Sequence, residues 1–314
     1  MTVDPGLLPP NPMAKPLSKP TKAPNESSWL GLACLAPAVI YDTLLFLLPL
    51  VFLVWIGFWT VDNYVMVPGF SLANYSDIFQ QFFSRSRYAF AIGQSLWVSA
   101  TTTLLAVVLC YPFAMALAFR VPPRWQRLGV LLAIAPFWSS YILRLYAWQT
   151  LLNREGLINS LLLQVGLMQS PMEIVFTQTG TRIGLLHYLA PIMILILYLA
   201  LKNIDTTLLG AAQNLGANRW QVFWRVILPL TRPGVVYSAV FAMIISLGDV
   251  LSGIILGGGT GRSVFGSLPL FSTMILNEYA ASTNLPRTAA LATLLIAIMV
   301  LVLLVGNQFS QTES

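Results

Sequence analysis

Charge is what this sequence has least of. Only 9% of its 314 residues are Asp, Glu, Lys or Arg, against roughly 25% in a soluble globular domain, and no polar stretch is long enough to build such a domain. Histidine occurs once, at His187, so a histidine metal cluster or a histidine-based triad has no second member. The two cysteines, Cys34 and Cys110, lie inside apolar runs and read as small buried hydrophobes, not as a disulfide or metal pair. Gly257-Gly258-Gly259-Thr260-Gly261-Arg262-Ser263 comes near a phosphate loop, but the spacing is one residue short and the lysine is missing. These absences disfavour a membrane enzyme and leave the chain without a nucleotide site.

What is present is apolar length. Hydrophobic residues make up 57% of the chain and mean hydropathy is +0.74, which makes it a polytopic membrane protein. At ~20 residues per crossing, six helices are expected, over about 29–59, 90–119, 128–152, 182–201, 234–256 and 288–305. Pro37 and Pro49 should bend the first. Residues 1–28 have the Pro-, Ser- and Lys-rich composition of a disordered tail. The apolar run behind them is too long for a cleavable signal peptide. The transmembrane domain is expected over 29–308, with a short tail at 309–314. Amphipathic pieces are expected at 157–167 and 268–279, and the stretch 62–88 reads as a polar, aromatic loop.

Six spans put both termini on one side, and the basic residues say which. With the termini inside, the inner segments hold Lys15, Lys19, Lys22, Arg120, Arg124, Arg127, Lys202, Arg219, Arg225 and Arg232. The outer segments keep Arg85, Arg87, Arg154, Arg182, Arg262 and Arg287, and Arg144 lies within the third helix. Lys and Arg favour the cytoplasmic face, so ten against six places both termini in the cytoplasm.

The same count places the polar interruption at 203–232 in the cytoplasm. A helix there would line up Ala211, Leu215 and Asn218 along one side. Gly216 supplies a turn or a close backbone approach, and Pro229 and Pro233 punctuate the return to the fifth helix. On these residues alone, an ordinary interfacial loop and a docking element are both open.

Gly210-Ala211-Ala212, Gly216 after three more residues, and Val226-Ile227-Leu228-Pro229 after a further nine resemble the signature of permease subunits of bacterial ABC importers. That family's pattern is Glu-Ala-Ala, three residues, Gly, nine residues, then Ile-x-Leu-Pro. The third-helix region Pro136-Phe137-Trp138-Ser139-Ser140-Tyr141-Ile142-Leu143-Arg144-Leu145-Tyr146-Ala147-Trp148 and the stretch Ser246-Leu247-Gly248-Asp249 are similar to the spermidine/putrescine branch. The resemblance covers about residues 30–308. It implies the type I importer permease fold, an all-α membrane protein of six spans in the bacterial inner membrane. It implies that Gly210, Ala211, Ala212, Leu215, Gly216, Ala217, Arg219, Leu228 and Pro229 belong to a loop that couples to an ATPase. It further implies two ATP-binding subunits, which carry ATP and Mg, together with a second permease subunit, usually a different chain, and an extracytoplasmic solute-binding protein. This chain itself would bind no cofactor or metal and be no enzyme. Gly210 stands where the family has Glu, so docking is expected to rest on shape and on Arg219 or its neighbours.

Charges at membrane depth are the remaining candidates. Asp249 falls roughly 22 Å along the fifth helix at 1.5 Å per residue. It reads either as a counter-charge for a cationic solute or as a structural group, paired with Arg144 or hydrogen bonded at a distortion near Gly248 and Gly253. Arg144 should face the bundle, since facing lipid costs at least ~2.5 kcal/mol. Tyr141, Arg144, Asp249 and Glu278 are the candidates for the solute path, with a solvated rim as the other reading of Glu278, and packing or a hydrogen bond in the fourth helix is expected of His187. The expected function is a permease subunit for a small solute, a polyamine by resemblance. The alternatives are a permease of this kind for another solute, or an autonomous secondary transporter or channel, which more often shows inverted repeats or paired broken helices.

Overall fold

The computed structural model describes residues 27–63, 65–83, 87–258, 270–282 and 284–311. Residues 1–26 of the expected tail, and the glycine-rich stretch from Gly259 to Ser263, lie outside the described residues. The chain divides into two units, the first ending at Phe52 and the second beginning at Leu53.

The first unit is helical from Ser27: α1 (Ser27–Asp42), a π turn over Thr43–Leu47, and the start of α2 (Leu48–Ile56). Cys34–Ile56 is long and apolar enough to cross a membrane. Its Leu35, Val39, Leu44 and Phe46 are all more than half exposed, and a helix apolar all round belongs in lipid or against another membrane helix. Pro49 does not break it. Proline lacks an N–H and crowds the carbonyl four residues back. Here the Leu48 N–H reaches back to the Thr43 carbonyl, and the widened turn makes room for the ring.

The second unit opens with a hairpin, β1 (Thr60–Asp62) and β2 (Val65–Val67), in the register Thr60–Val67, Val61–Met66 and Asp62–Val65. A helix, α3 (Ala73–Phe83), follows, so the stretch read as a loop contains a helix and a strand. The bundle consists of α4 (Arg87–Phe119), α8 (Gln178–Lys202), α11 (Leu228–Gly248) and α14 (Leu285–Gln311). Between α4 and α8 come α5 (Pro123–Ile134), α6 (Tyr141–Leu152) and α7 (Leu157–Gln164). Between α8 and α11 come α9 (Thr206–Asn214) and α10 (Arg219–Val222), and beyond α11 come α12 (Leu251–Ile255) and α13 (Phe271–Ser282). Among the described residues, five helices are each long and apolar enough to cross a membrane, and six spans result if the bent pair Pro123–Trp138 and Tyr141–Gln164 is counted as one.

α4 packs against α8 and α11, and α11 packs also against α14. The seam is made of small residues. Ser95, Ser99, Thr102, Ala106, Cys110 and Ala114, spaced three or four apart, are each at most 4% exposed, while Leu104, Val108 and Phe113 on other faces of α4 are more than half exposed. This is membrane helix packing, in which close backbone approach replaces the hydrophobic drive. Gly234 of α11 extends the pattern, since a β-carbon there would collide with the Ala200 β-carbon of α8. Gly234→Leu should therefore force the two helices apart, costing about 1–3 kcal/mol. The expected outcome is a lower melting temperature and lower yield of detergent-solubilised protein, and a variant that melts like wild type would contradict this packing.

Two expectations need correction. The third span is not one helix over 128–152. It ends in a 3-10 turn at Ala135–Trp138, and the chain turns by 87° before α6. Pro136 cannot continue the α ladder, and the Ser139 N–H and Oγ both bond the Pro136 carbonyl, at 3.2 and 2.7 Å. Ser139 and Ser140 then run extended, and a new helix starts at Tyr141. The fifth helix neither starts at 234 nor runs unbroken to 256. It is continuous from Arg219 to Gly248, passing Pro229 by a second π turn, Phe223–Ile227, in which the Leu228 N–H bonds the Phe223 carbonyl. It then breaks at Asp249 and Val250, where α12 begins.

Candidate functional site

The segment between α8 and α11 is built from local capping chemistry. Asp205 caps α9, its Oδ1 accepting the Thr207 N–H at 2.9 Å. That bond holds the carboxyl below its ordinary range, so the cap is present above pH ~3.9 and is lost only as pH falls through the depressed value. At the other end of α9, Gly216 adopts φ +82°. Its N–H bonds the Gln213 carbonyl at 2.9 Å, and the Ala217 N–H bonds that of Ala212 at 3.1 Å. This is the Schellman stop, which needs a left-handed residue at that position. Asn218 at once caps α10, in a reciprocal box with Gln221 at 2.8 and 2.9 Å. Two short helices are thus joined through Leu215, Gly216, Ala217 and Asn218 by a rigid corner.

The corner has an inner and an outer face. Leu209, Ala212 and Ala217 pack against the bundle core beside Ile204 and Val222. Ala211 and Arg219 are exposed, and Leu215 is 89% exposed. Nothing lies within 4 Å of where a β-carbon on Gly210 would stand, so packing within this chain does not exclude a larger residue there. Leu228 and Pro229 lie at the start of α11, immediately after the π turn. One turn on, the buried Thr231 Oγ1 and Tyr111 hydroxyl lie 2.7 Å apart, tying the segment's root to α4. Beside it, Gln126 of α5 joins the end of α4 to α8, donating to the Ala118 and Val121 carbonyls at 3.1 and 2.9 Å and accepting from the Tyr198 hydroxyl at 3.3 Å. Neither the Tyr111–Thr231 contact nor the Tyr198–Gln126 bond is legible in sequence, because the partners lie 120 and 72 positions apart.

The two helix breaks meet, at the far end of the long helix from Arg219 and therefore farther along it than a start at 234 implied. Tyr141, the first residue of α6, donates its hydroxyl to Asp249 Oδ1 at 3.0 Å. Asp249 Oδ2 accepts the Ser252 N–H at 2.9 Å and also the Ser252 hydroxyl, so the carboxylate caps the start of α12. The Ser272 hydroxyl bonds the Asp249 carbonyl at 2.6 Å. Asp249 is therefore hydrogen bonded at a helix break and makes no ion pair with Arg144.

Arg144 lies over aromatic rings instead. Its guanidinium carbon is 5.8 Å from the Tyr141 ring centre and 5.9 Å from that of Tyr188, and the two rings are 4.4 Å apart. Phe137 stacks on the other side of Tyr188 at 6.3 Å. One turn along α6, Trp148 Nε1 donates to His187 Nδ1 at 2.7 Å, and since an indole N–H only donates, this His187 nitrogen is an acceptor. Glu278 stands apart from this group, paired with Arg287 at 3.3 Å. Arg287 also bonds Gln81 and Tyr88, at 3.2 and 3.0 Å. Toward the start of α8, Arg182 bonds Thr101 and Gln178 at 2.9 and 3.1 Å, and Gln178 bonds Gln94. Among the described residues, no three His, Cys, Asp or Glu side chains come together as a metal site.

Of the four candidates for the solute path, the structure thus brings Tyr141, Arg144 and Asp249 together and places Glu278 elsewhere. Tyr188 is the member that sequence reasoning missed.

Comparison with known proteins adds an independent line. Residues 43–311 match the family described as binding-protein-dependent transport system inner membrane component. The chain is 32% identical over 272 residues to the spermidine/putrescine transport system permease protein PotB of Haemophilus influenzae, covering 85% of this chain and 90% of that one. It is also 32% identical over 259 residues to the PotB protein of Escherichia coli strain K12, covering 82% and 90%. Among solved structures, a bacterial alginate ABC transporter in complex with an alginate pentasaccharide-bound periplasmic protein contains a chain of similar fold. The TM-score is 0.72 at 17% identity, over 91% of this chain and 95% of the other.

Proposed function

This chain belongs to the binding-protein-dependent transport system inner membrane components, and on that premise we propose that it forms part of the path by which an ATP-driven importer carries a polyamine across the inner membrane. It is a multi-pass permease subunit of an ABC importer. The relatives' solutes, spermidine and putrescine, are flexible cations, and the observation that supports such a solute here is Asp249, a carboxylate held at the junction of two broken helices beside two tyrosine rings. Discontinuous helices are where membrane transporters place their solute sites.

The remaining parts of the machine lie in other chains. Two ATP-binding subunits supply the energy, with ATP and Mg bound there, and the outward face of the Gly216 corner docks onto them. A second permease subunit completes the path, and an extracytoplasmic binding protein delivers the solute. This chain performs no chemistry of its own. Coupling needs a stiff element biased from both ends, and the doubly capped corner, tied to α4 through Thr231 and Tyr111, has that stiffness.

The test is reconstitution. The chain is expected to co-purify with a soluble ATPase, and vesicles holding the full assembly, its binding protein and ATP are expected to take up labelled spermidine or putrescine. Uptake by vesicles holding this chain alone would overturn the importer reading in favour of an autonomous transporter. A second solute class is favoured by one observation: neither Arg144 nor Arg182 is ion-paired to a carboxylate among the described residues. Uptake of an oxyanion, with no polyamine uptake, would establish that alternative.

A further inference from the structure

We propose that Tyr141, Tyr188 and Asp249 form a cage for one ammonium group of the solute, and that Arg144 is the resident cation that fills the cage while solute is absent. The proposal rests on the polyamine reading and extends it to named residues and to the empty state.

The cage has the two parts that recognition of an amine requires. Two tyrosine rings 4.4 Å apart present π faces that attract a cation within about 6 Å of their centres. A carboxylate adjoins them, because the Tyr141 hydroxyl bonds Asp249 Oδ1. Both parts are fixed by backbone breaks, Tyr141 by the turn after Ser140 and Asp249 by the gap between α11 and α12. The site is therefore held open by backbone geometry.

Arg144 marks the cage by occupying it. A structural arginine in a membrane protein forks onto a carboxylate or a set of carbonyls, which satisfies its donors. Arg144 does not. Its guanidinium lies over both rings, while its Nε and Nη1 are buried with no hydrogen-bond partner among the described residues. Unmade hydrogen bonds of a buried charged group are costly, so the ring faces, and not hydrogen bonds through Nε or Nη1, hold the residue. An incoming ammonium can take the same faces and, not being tethered to α6, can also turn toward Asp249, which Arg144 does not bond. Exchange puts a better satisfied cation on the ring faces in place of a poorly satisfied one, so the faces are covered in either state.

The test uses the assembled complex of this chain with its ATPase and partner permease, in nanodiscs and without the binding protein, and measures equilibrium binding of labelled spermidine. Arg144→Met removes the competitor and should tighten binding by about tenfold. Arg144→Lys keeps a cation and should bind like wild type, and adding Asp249→Asn to Arg144→Met should abolish the gain. Arg144→Gln gives the same comparison if the methionine variant does not assemble. A neutral residue at 144 that binds spermidine no tighter than wild type overturns the cage, as does an equal gain from Arg144→Lys. Uptake by the complete wild-type system is read alongside. No polyamine uptake there overturns the solute assignment and the cage's ligand together, whereas normal uptake without the gain overturns the cage alone.

Discussion

Asparagine at position 249 should cut polyamine uptake by at least about tenfold, because a charge-assisted contact to the solute is lost (each ~1.4 kcal/mol is a factor of ten), while the complex still assembles and melts as wild type. The second half of that expectation follows from the capping geometry. The Asp249 carboxylate serves Ser252 through one oxygen and Tyr141 through the other. An asparagine can turn its carbonyl to the Ser252 N–H and its amide to the Tyr141 oxygen, so the helix break survives and only the charge is removed. Asp249→Ala removes charge and cap together and should lower the melting temperature as well. ATP-dependent uptake in vesicles, read beside thermal unfolding, separates the two roles. Wild-type uptake by the asparagine variant would leave Asp249 as a purely structural cap.

Valine at position 216 should uncouple the machine. A β-branched residue at φ +82° is strained by about 1–3 kcal/mol, enough to shift the corner between α9 and α10 out of shape and to reduce uptake by about tenfold or more. The cost is conformational, not steric, since nothing lies within 4 Å of a β-carbon at that position. Gly216→Asn, which tolerates the left-handed region, should therefore retain most uptake, although it is larger than alanine. A bulky Gly216→Trp carries the same strain and adds an obstacle on the outer face. ATP hydrolysis is expected to lose its dependence on solute in the valine and tryptophan variants. If the complex assembles and uptake in both equals wild type, the corner is not the lever.

The features legible in sequence are those with local causes. Apolar runs gave the spans because hydrocarbon demands ~20 residues, and Gly216 was legible as a turn because its backbone requirement is its own. The role of Asp249 was legible in outline, since an acid in an apolar run announces itself, but its partner was not. Tyr141 and Asp249 are 108 positions apart, and the choice between Arg144 and a helix distortion depended on which break faced which. The third span misled because 128–152 is long and mostly apolar, and a proline inside such a run can bend a helix without ending it. The decisive pair was Ser139-Ser140, running extended behind it. The extension of the fifth helix back to Arg219 was hidden by Pro229, which reads as a stop until the widened turn before it is seen. The helix Ala73–Phe83 was hidden by its polar residues. Tyr188, in a helix apolar on every side, had nothing to set it apart until the fold placed it against Tyr141.

That widened turn at Phe223–Ile227 also sets an angular phase. It carries one residue more than an α-helical turn, and each residue advances a helix by about 100°. The faces of α10 and α11 are therefore out of step by about that angle, although the helix looks continuous. The side of the span that lines up with the outward face of the Gly216 corner is consequently not the side that heptad counting through the turn would select. Beyond the turn, the buried row of α11 runs through Thr231, Ser238, Ala242 and Ser246.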